Sequence, residues 1–143
     1  MELPQKKMLK LKAQDARDLE IFSACLQDAI IPVAALEHLP NENAFVILAN
    51  RFKWEDNPVE HEGAMLHHRT HTGVHFSHVE RVQERNINHD DPAHVLNLLY
   101  LEGSHDGEKA GSIHLHFSQD AEICLTVKEI KGHLMDLEEP WVT

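Results

Sequence analysis

The chain has 143 residues, with 24 acidic and 13 basic side chains and a formal net charge of −11 at pH 7. This charge argues against nucleic acids and membrane surfaces as partners, because their phosphate groups repel an anionic protein. No apolar run reaches membrane-spanning length, and the charged N-terminus lacks the apolar core of a signal peptide. We therefore expect one cytoplasmic domain over residues 1–143.

The two cysteines favour the same compartment. Cys25 and Cys124 each lie within an apolar pattern, which predicts two buried free thiols rather than a disulfide framework. Free thiols suit a reducing environment.

The first elements in chain order are a strand and a helix. Apolar and lysine residues alternate over 8–13, which predicts a half-buried strand. Apolar residues then recur at helical spacing from about residue 16 to 28, and Asp15 precedes them as an N-cap. We interpret the apolar stripe of this helix as core.

The centre of the chain has strand patterns separated by turns. Residues 30–39 are apolar but contain Pro32, which favours an edge strand or a bulge. Further strands are predicted over 44–54, 65–85 (as a strand pair or one bent strand), 95–101, 112–117 and 122–127.

The last segment is predicted to be a second helix. It has a capping-box pattern, Pro140 closes it, and Gly132 would weaken it by about 1 kcal/mol relative to alanine. Its apolar stripe consists of Val127, Ile130, Leu134 and Leu137. Together the elements predict an α+β fold with about seven antiparallel strands in a sheet or small bent barrel, an N-terminal helix after the first strand and a C-terminal capping helix. An open antiparallel sheet with two helices on one face is the alternative.

Histidine is unusually frequent: thirteen are present, and six of them fall between His61 and His78. The segment LHHRTHTGVHF, residues 66–76, resembles the end of a zinc finger. A structural zinc site needs four protein ligands, however, and no cysteine pair shortly precedes these histidines. The sequence therefore argues against a zinc finger.

Two other histidine groups are weak metal candidates. His67, His71 and His75 would share one face of a helix, but on a strand residues four apart are separated by about 13 Å, too far for one ion. His114 and His116 lie on the outer face of a predicted strand and would share an ion only with help from a neighbouring strand. The simpler interpretation of both groups is a solvated polar face.

No catalytic motif is present, since GxSxG, HExxH, CxxC, GxGxxG and the Walker loop are all absent. No histidine has the spacing to a carboxylate that a general base and its orienting partner would require. The sequence thus predicts no catalytic residue and no cofactor.

The segment NRFKWE, residues 50–55, combines aromatic and basic side chains. On a strand, Phe52 and Trp54 lie on one face, and Arg51 and Lys53 lie on the other. We expect the aromatic face to be core. The alternative is that Arg51 or Trp54 contacts a ligand.

Several stretches resemble a family of small bacterial proteins that is known only as a domain of unknown function. They are LKLKAQDARDLEIFSACLQDAI, FVILANRFKWE, GVHFSHVERV and GSIHLHFSQDAEICLTVKEIKGHLMDLEEPW. The resemblance covers nearly the whole chain and is most specific over residues 50–55. It implies a gene often located near that of histidinol dehydrogenase, and arginines where this chain has histidines at 61–78. It supplies no catalytic or binding residue.

The order of elements is also similar to the pleckstrin-homology-like superfold, a small bent barrel with a C-terminal helix, although fold alone does not establish function. We predict a non-enzymatic cytoplasmic binding or adaptor module whose partner is a protein or a small molecule. The alternatives are a small enzyme with a His/Asp pocket and a histidine-rich metal-handling protein. The oligomeric state stays open, a homo-oligomer included.

Overall fold

The computed structural model describes residues 8–105 and 111–137, together with the backbone of 141–142. The expectation that Pro140 ends a helix lies outside these residues. In the described part, the chain forms one α-helix, two 3-10 turns at Val33–Ala35 and Pro40–Glu42, and thirteen strands. The helix is α1 (Ala16–Leu26). The strands are β1 (Lys10–Ala13), β2 (Ile30–Pro32), β3 (Leu36–Leu39), β4 (Ala44–Phe52), β5 (Val59–His61), β6 (Ala64–Leu66), β7 (His68–Phe76), β8 (Val79–Arg85), β9 (Val95–Ser104), β10 (Gly111–Phe117), β11 (Glu122–Val127), β12 (Gly132–Asp136) and β13 (Trp141–Val142).

Eleven of these strands form one antiparallel sheet. Its main path runs β1–β12–β7–β4–β2–β9–β10–β11–β8, with β3 beside β4 and β13 beside β7. Strands β5 and β6 form a separate two-stranded sheet. Because the path ends at β1 and β8, which are not paired with each other in the described part, the sheet is not a closed barrel. The prediction of an α+β fold with about seven strands is therefore wrong, and the protein is mostly β.

Helix α1 is present where the sequence predicts it. The side chain of Asp15 accepts a 2.8 Å hydrogen bond from the backbone N–H of Asp18, which caps the N-terminus. Gln27 has non-helical backbone angles (φ −55°, ψ 128°), and Asp28 is left-handed with φ 62°, so the helix ends two residues earlier than predicted. The apolar stripe is core, as expected: the buried residues of α1 are Leu19, Phe22 and Leu26.

The core lies between α1 and the inner face of the sheet. The ring of Phe22 in α1 packs against the ring of Phe76 in β7, with centroids 6.4 Å apart. Strands β10 and β11 each alternate buried and half-buried residues, as the sequence predicts for strands with one face in the core. Gly103 in β9 permits close contact with α1, since a Cβ there would lie 2.4 Å from Cδ1 of Leu19.

The predicted C-terminal helix is not formed: its described residues form the end of β11, an irregular segment over 128–131 and strand β12. Val127 ends β11, and β12 lies between β1 and β7 and is paired with both. In β12 the buried residues alternate, which is the period of a strand and not of a helix: they are Gly132, Leu134 and Asp136. The two neighbouring strands supply backbone hydrogen-bond partners on both sides, and this tertiary pairing outweighs the local helical pattern. No helix of the described residues has the length and apolar character that crossing a bilayer requires.

Candidate functional site

Arg51 in β4 is a fully buried arginine that contacts two carboxylates. Its Nε and Nη2 donate hydrogen bonds of 2.9 and 2.8 Å to the two oxygens of Asp136 in β12. Nη1 and Nη2 also donate to Glu55, and Nη1 donates to the carbonyl of Phe52. Each of the five guanidinium hydrogens therefore has an acceptor within the protein, which leaves none for a ligand.

These hydrogen bonds keep the side chains of both Arg51 and Asp136 charged. Burial by itself would raise the pKa of Asp136, but hydrogen bonds from Arg51 and Thr72 hold that pKa below its ordinary value. Burial likewise opposes the charge on Arg51, while Asp136 and Glu55 raise its pKa. The cluster is a buried structural ion pair that joins β4 to β12.

The expected core position of the aromatic residues in 50–55 is wrong. Arg51 and Lys53 are the buried residues, whereas Phe52 is half-buried and Trp54 is 44% exposed. The charged Arg51 can face the core at this end of β4 because Asp136 neutralises its charge. The Trp54 indole N–H donates a 3.1 Å hydrogen bond to the carbonyl of Gln27, so this ring lies on the outside against the end of α1.

Arg69 in β7 is a second buried arginine, and its surroundings differ from those of Arg51. It is 8% exposed, and its guanidinium carbon lies 3.9 Å from the centre of the Phe52 ring. Nε donates to Oδ1 of Asn50 at 2.6 Å, and Nη2 donates to the carbonyl of the same residue at 3.3 Å. Burial lowers the pKa of Arg69, yet an arginine side chain stays protonated at neutral pH. Among the described residues, no carboxylate forms an ion pair with it.

Arg69 and Phe52 line a cleft of about 770 Å³, which we call the Arg69 cleft. It lies where β2 pairs with both β4 and β9 and so connects the two halves of the sheet. The lining is mixed, with polar side chains next to apolar ones: Asp28, Ile30, Phe52, Arg69, Asn86, His94, Val95, Leu96, Asn97, Ser118, Gln119 and Ala121. This volume lies in the range of small-molecule sites, about 300–1,000 Å³.

A second group of side chains lies on the outer face of the sheet. His114 and His116 project from β10, and Glu122 in β11 lies directly opposite His116 in the strand register. One ligand-type atom from each residue lies within 4.8 Å of the other two. We call these three residues the β10–β11 cluster. It is the one such group among the residues that the structure describes.

Hydrogen bonds organise the β10–β11 cluster. His114 Nδ1 lies 2.8 Å from Glu122 Oε1, and His114 Nε2 lies 3.1 Å from the hydroxyl of Ser112. The hydrogen bond with His114 is the main cause of the lowered pKa of Glu122. His116 Nε2 lies 3.2 Å from Glu102 Oε1. Both histidines thus have polar partners that orient their rings.

Cys124 completes an arrangement that resembles a catalytic triad, with its Sγ 3.8 Å from His114 Nε2 and Glu122 on the other ring nitrogen. Its electrostatics do not suit a nucleophile. Burial and the negative charge of Glu122 raise the pKa of this thiol, whereas a reactive cysteine needs a lowered pKa. Cys25 and Cys124 are both free thiols, as the sequence predicts, although each is only partly buried.

The remaining histidine candidates are spread along β7, an interior strand of the sheet, and the residue before it. His71 and His75 lie in β7, a strand as expected, and His67 directly precedes it. His67 packs against the aromatic rings of Phe52 and Trp54, at 5.8 and 5.9 Å between ring centres. Within the described residues, the structure does not group these three histidines into a set of metal ligands.

Sequence reasoning missed two residues of these sites. Arg69 lies in the segment HRTHT, which the sequence analysis considered only for its histidines. No local pattern shows that β4 places Phe52 and Asn50 next to Arg69. Glu122 could have been identified from the sequence, because the tight SQDA turn sets the register of the hairpin and places Glu122 opposite His116.

Comparison with known proteins gives the family but no activity. No curated protein and no solved structure matches the chain. The family described as "Protein of unknown function (DUF2948)" matches residues 9–143, which is nearly the entire sequence. This match confirms the resemblance to an uncharacterised family that the sequence suggests. The chain belongs to this family of unknown function.

Proposed function

We propose that the protein binds a small anionic molecule, such as a carboxylate, in the Arg69 cleft. The observation that carries this proposal is the buried guanidinium of Arg69, which lines the cleft and has no carboxylate partner among the described residues. A buried charge without a partner is costly, so natural proteins pair it or bind a counter-ion there. A carboxylate or phosphate in the cleft would supply the missing charge.

The two buried arginines support this proposal by contrast. All five donor hydrogens of Arg51 have acceptors, and two carboxylates neutralise its charge. Within the described residues, the guanidinium of Arg69 donates hydrogen bonds only to the neutral Asn50 and lies over the Phe52 ring, and its Nη1 donates none. The ring and the amide hold the guanidinium in place, so its free donors are pre-organised for an anion.

The lining of the cleft suggests what else the ligand carries. Apolar surface from Ile30 and Leu96 suits a short hydrocarbon part, and the amides of Asn86 and Asn97 suit hydroxyl or amino groups. Asp28 in the same lining would repel a second anionic group beside it. These features favour a small molecule with one acidic group over a polyanion.

We favour binding over catalysis at this site. The cleft contains His94 and Ser118, but His94 Nδ1 is engaged by the backbone N–H of Asn88. In the described part of the chain, no hydrogen bond joins a lining serine to a lining histidine, as nucleophilic catalysis would require. The two free thiols suit the reducing cytoplasm, where we place this activity.

The test is thermal denaturation of the purified chain with a panel of monocarboxylates, amino acids and nucleoside monophosphates, each at millimolar concentration. A ligand that binds the native state raises the melting temperature by mass action. We expect at least one acid to do so in the wild type and none in Arg69→Met. Arg81→Met removes an exposed arginine of β8 and is the matched control, which keeps the response.

The melting temperature of Arg69→Met without ligand also tests the proposal. Because Arg69→Met removes an uncompensated charge and keeps an apolar stem over Phe52, its melting temperature should not fall below that of the wild type. A shift that persists in Arg69→Met, or the absence of a shift with any of these acids, contradicts the proposal.

A further inference from the structure

The outer face of β10 and β11 has a ligand set that neither strand provides alone. Alternation along β10 places His114 and His116 on the same side, while Glu122 comes from the adjacent strand. We propose that the β10–β11 cluster binds one divalent transition-metal ion, with Zn²⁺ as the preferred ion.

The donor types suit zinc. Two imidazoles and one carboxylate form the protein part of many zinc sites, and water fills the open position. Zinc at about 2.0–2.1 Å from each ligand atom requires those atoms to lie about 3.4 Å apart. The three atoms now lie within 4.8 Å of one another, and each side chain is partly exposed, so small side-chain rotations close the site without moving the strands.

The surrounding hydrogen bonds match those of a metal site. Metal-bound histidines usually donate their other ring N–H to an oxygen that orients the ring. Here Nε2 of His114 lies 3.1 Å from Ser112 Oγ, and Nε2 of His116 lies 3.2 Å from Glu102 Oε1. We therefore assign the Nδ1 atom of each histidine to the metal, and His114 Nδ1 already lies 2.8 Å from Glu122 Oε1.

Neighbouring charges define which carboxylate oxygen is available. Arg85 in β8 lies 3.1 Å from Oε2 of Glu122, which leaves Oε1 toward the histidines. Glu102 adds a second negative charge beside His116, and the chain as a whole is anionic, so cations are attracted to this face. Cys124 faces Nε2 of His114 rather than Nδ1 and is not one of the ligands.

The test is isothermal titration calorimetry with zinc sulfate, on untagged protein that has been treated with chelator and dialysed. We expect one zinc ion per chain and a melting temperature that rises with zinc and falls again with chelator. The double variant His114→Ala, His116→Ala should no longer bind this zinc ion. Glu122→Gln keeps the size of the side chain and should weaken the affinity by at least about tenfold, since even indirect partners of a metal contribute about that much.

Two controls separate this site from the other histidines and from the thiol. His71→Ala removes a partly buried histidine from β7 and should bind zinc like the wild type. Cobalt replacing zinc should give a spectrum without thiolate charge transfer, unchanged in Cys124→Ser. Zinc binding that persists in the double variant, that is lost in His71→Ala, or that does not occur with the wild type overturns the proposal.

Discussion

Arg51 and Asp136 are separated by 85 positions in the sequence and form a buried ion pair with two hydrogen bonds, of 2.9 and 2.8 Å. Their side chains are 0% and 2% exposed. The pair connects β4 with β12, which both lie next to β7 in the sheet. The hydroxyl of Thr72 in β7 donates to the same carboxylate, so one ion pair links three neighbouring strands.

Breaking this pair should destabilise the protein strongly. In Asp136→Asn the guanidinium of Arg51 keeps only the half-exposed Glu55 as a carboxylate partner. Removing one member of a buried pair typically costs about 3–5 kcal/mol of unfolding free energy. Urea denaturation followed by circular dichroism measures this difference.

The matched control is Glu55→Gln, which removes the exposed carboxylate of the same arginine. It should cost clearly less than Asp136→Asn, about 1 kcal/mol, because the Glu55 side chain is 42% exposed and Asp136 still neutralises the buried Arg51. The double variant Arg51→Met, Asp136→Leu should recover most of the loss, since no unpaired charge remains. Equal costs for Asp136→Asn and Glu55→Gln would mean that the buried pair has no special role.

The ion pair also predicts how stability depends on acid. The pKa of Asp136 is lower in the folded protein than the unfolded value of about 3.9. The contribution of Asp136 to the free energy of unfolding is therefore fully present above about pH 4. It is lost as the pH falls from there through the folded pKa. We expect the difference in unfolding free energy between wild type and Asp136→Asn to be constant from pH 7 to pH 5 and to shrink below pH 4. A difference in unfolding free energy that grows below pH 4 would contradict a lowered pKa of Asp136 in the folded protein.

Gly132→Ala distinguishes the strand from the helix that the sequence suggests. On a helix this change should stabilise the protein by about 1 kcal/mol. In β12, however, a Cβ at this position lies 3.0 Å from the Phe76 ring and 3.2 Å from the Phe22 ring, and both rings are fully buried. We expect a loss of about 1–3 kcal/mol from overpacking, seen as a lower melting temperature. A higher melting temperature would favour a helix at this segment.

Trp54→Ala should be a mild substitution, because the side chain is 44% exposed. The variant loses one hydrogen bond to the Gln27 carbonyl and the ring contact with Phe52. We expect a cost of about 1–2 kcal/mol in urea denaturation, well below the 3–5 kcal/mol of a fully buried aromatic ring. Phe22→Ala provides that buried reference in the same protein, and equal losses for the two variants would show that Trp54 belongs to the core.

Among the candidate site residues, the outward orientation of His114 and His116 followed from sequence, because Ile113, Leu115 and Phe117 alternate with them and must face the core. The short turn before Glu122 also limits which residue lies opposite His116. By contrast, the surroundings of Arg69, where no carboxylate of the described residues pairs with it, could not be predicted. They depend on side chains of β4 and of the chain near β9, and those come from distant parts of the sequence.

The sequence by itself determined the elements whose signals are local. Helix α1 has its own cap at Asp15 and an apolar stripe, and the hairpin of β10 and β11 has a strict two-residue alternation. Only the tertiary structure decided the state of residues 127–137, where apolar residues fit a helical stripe as well as a strand. Pairing with β1 and β7 gives the backbone of β12 hydrogen-bond partners on both sides, and Asp136 meets the buried charge of Arg51 there. Those partners come from distant parts of the chain, so no local pattern contains the information that selects the strand.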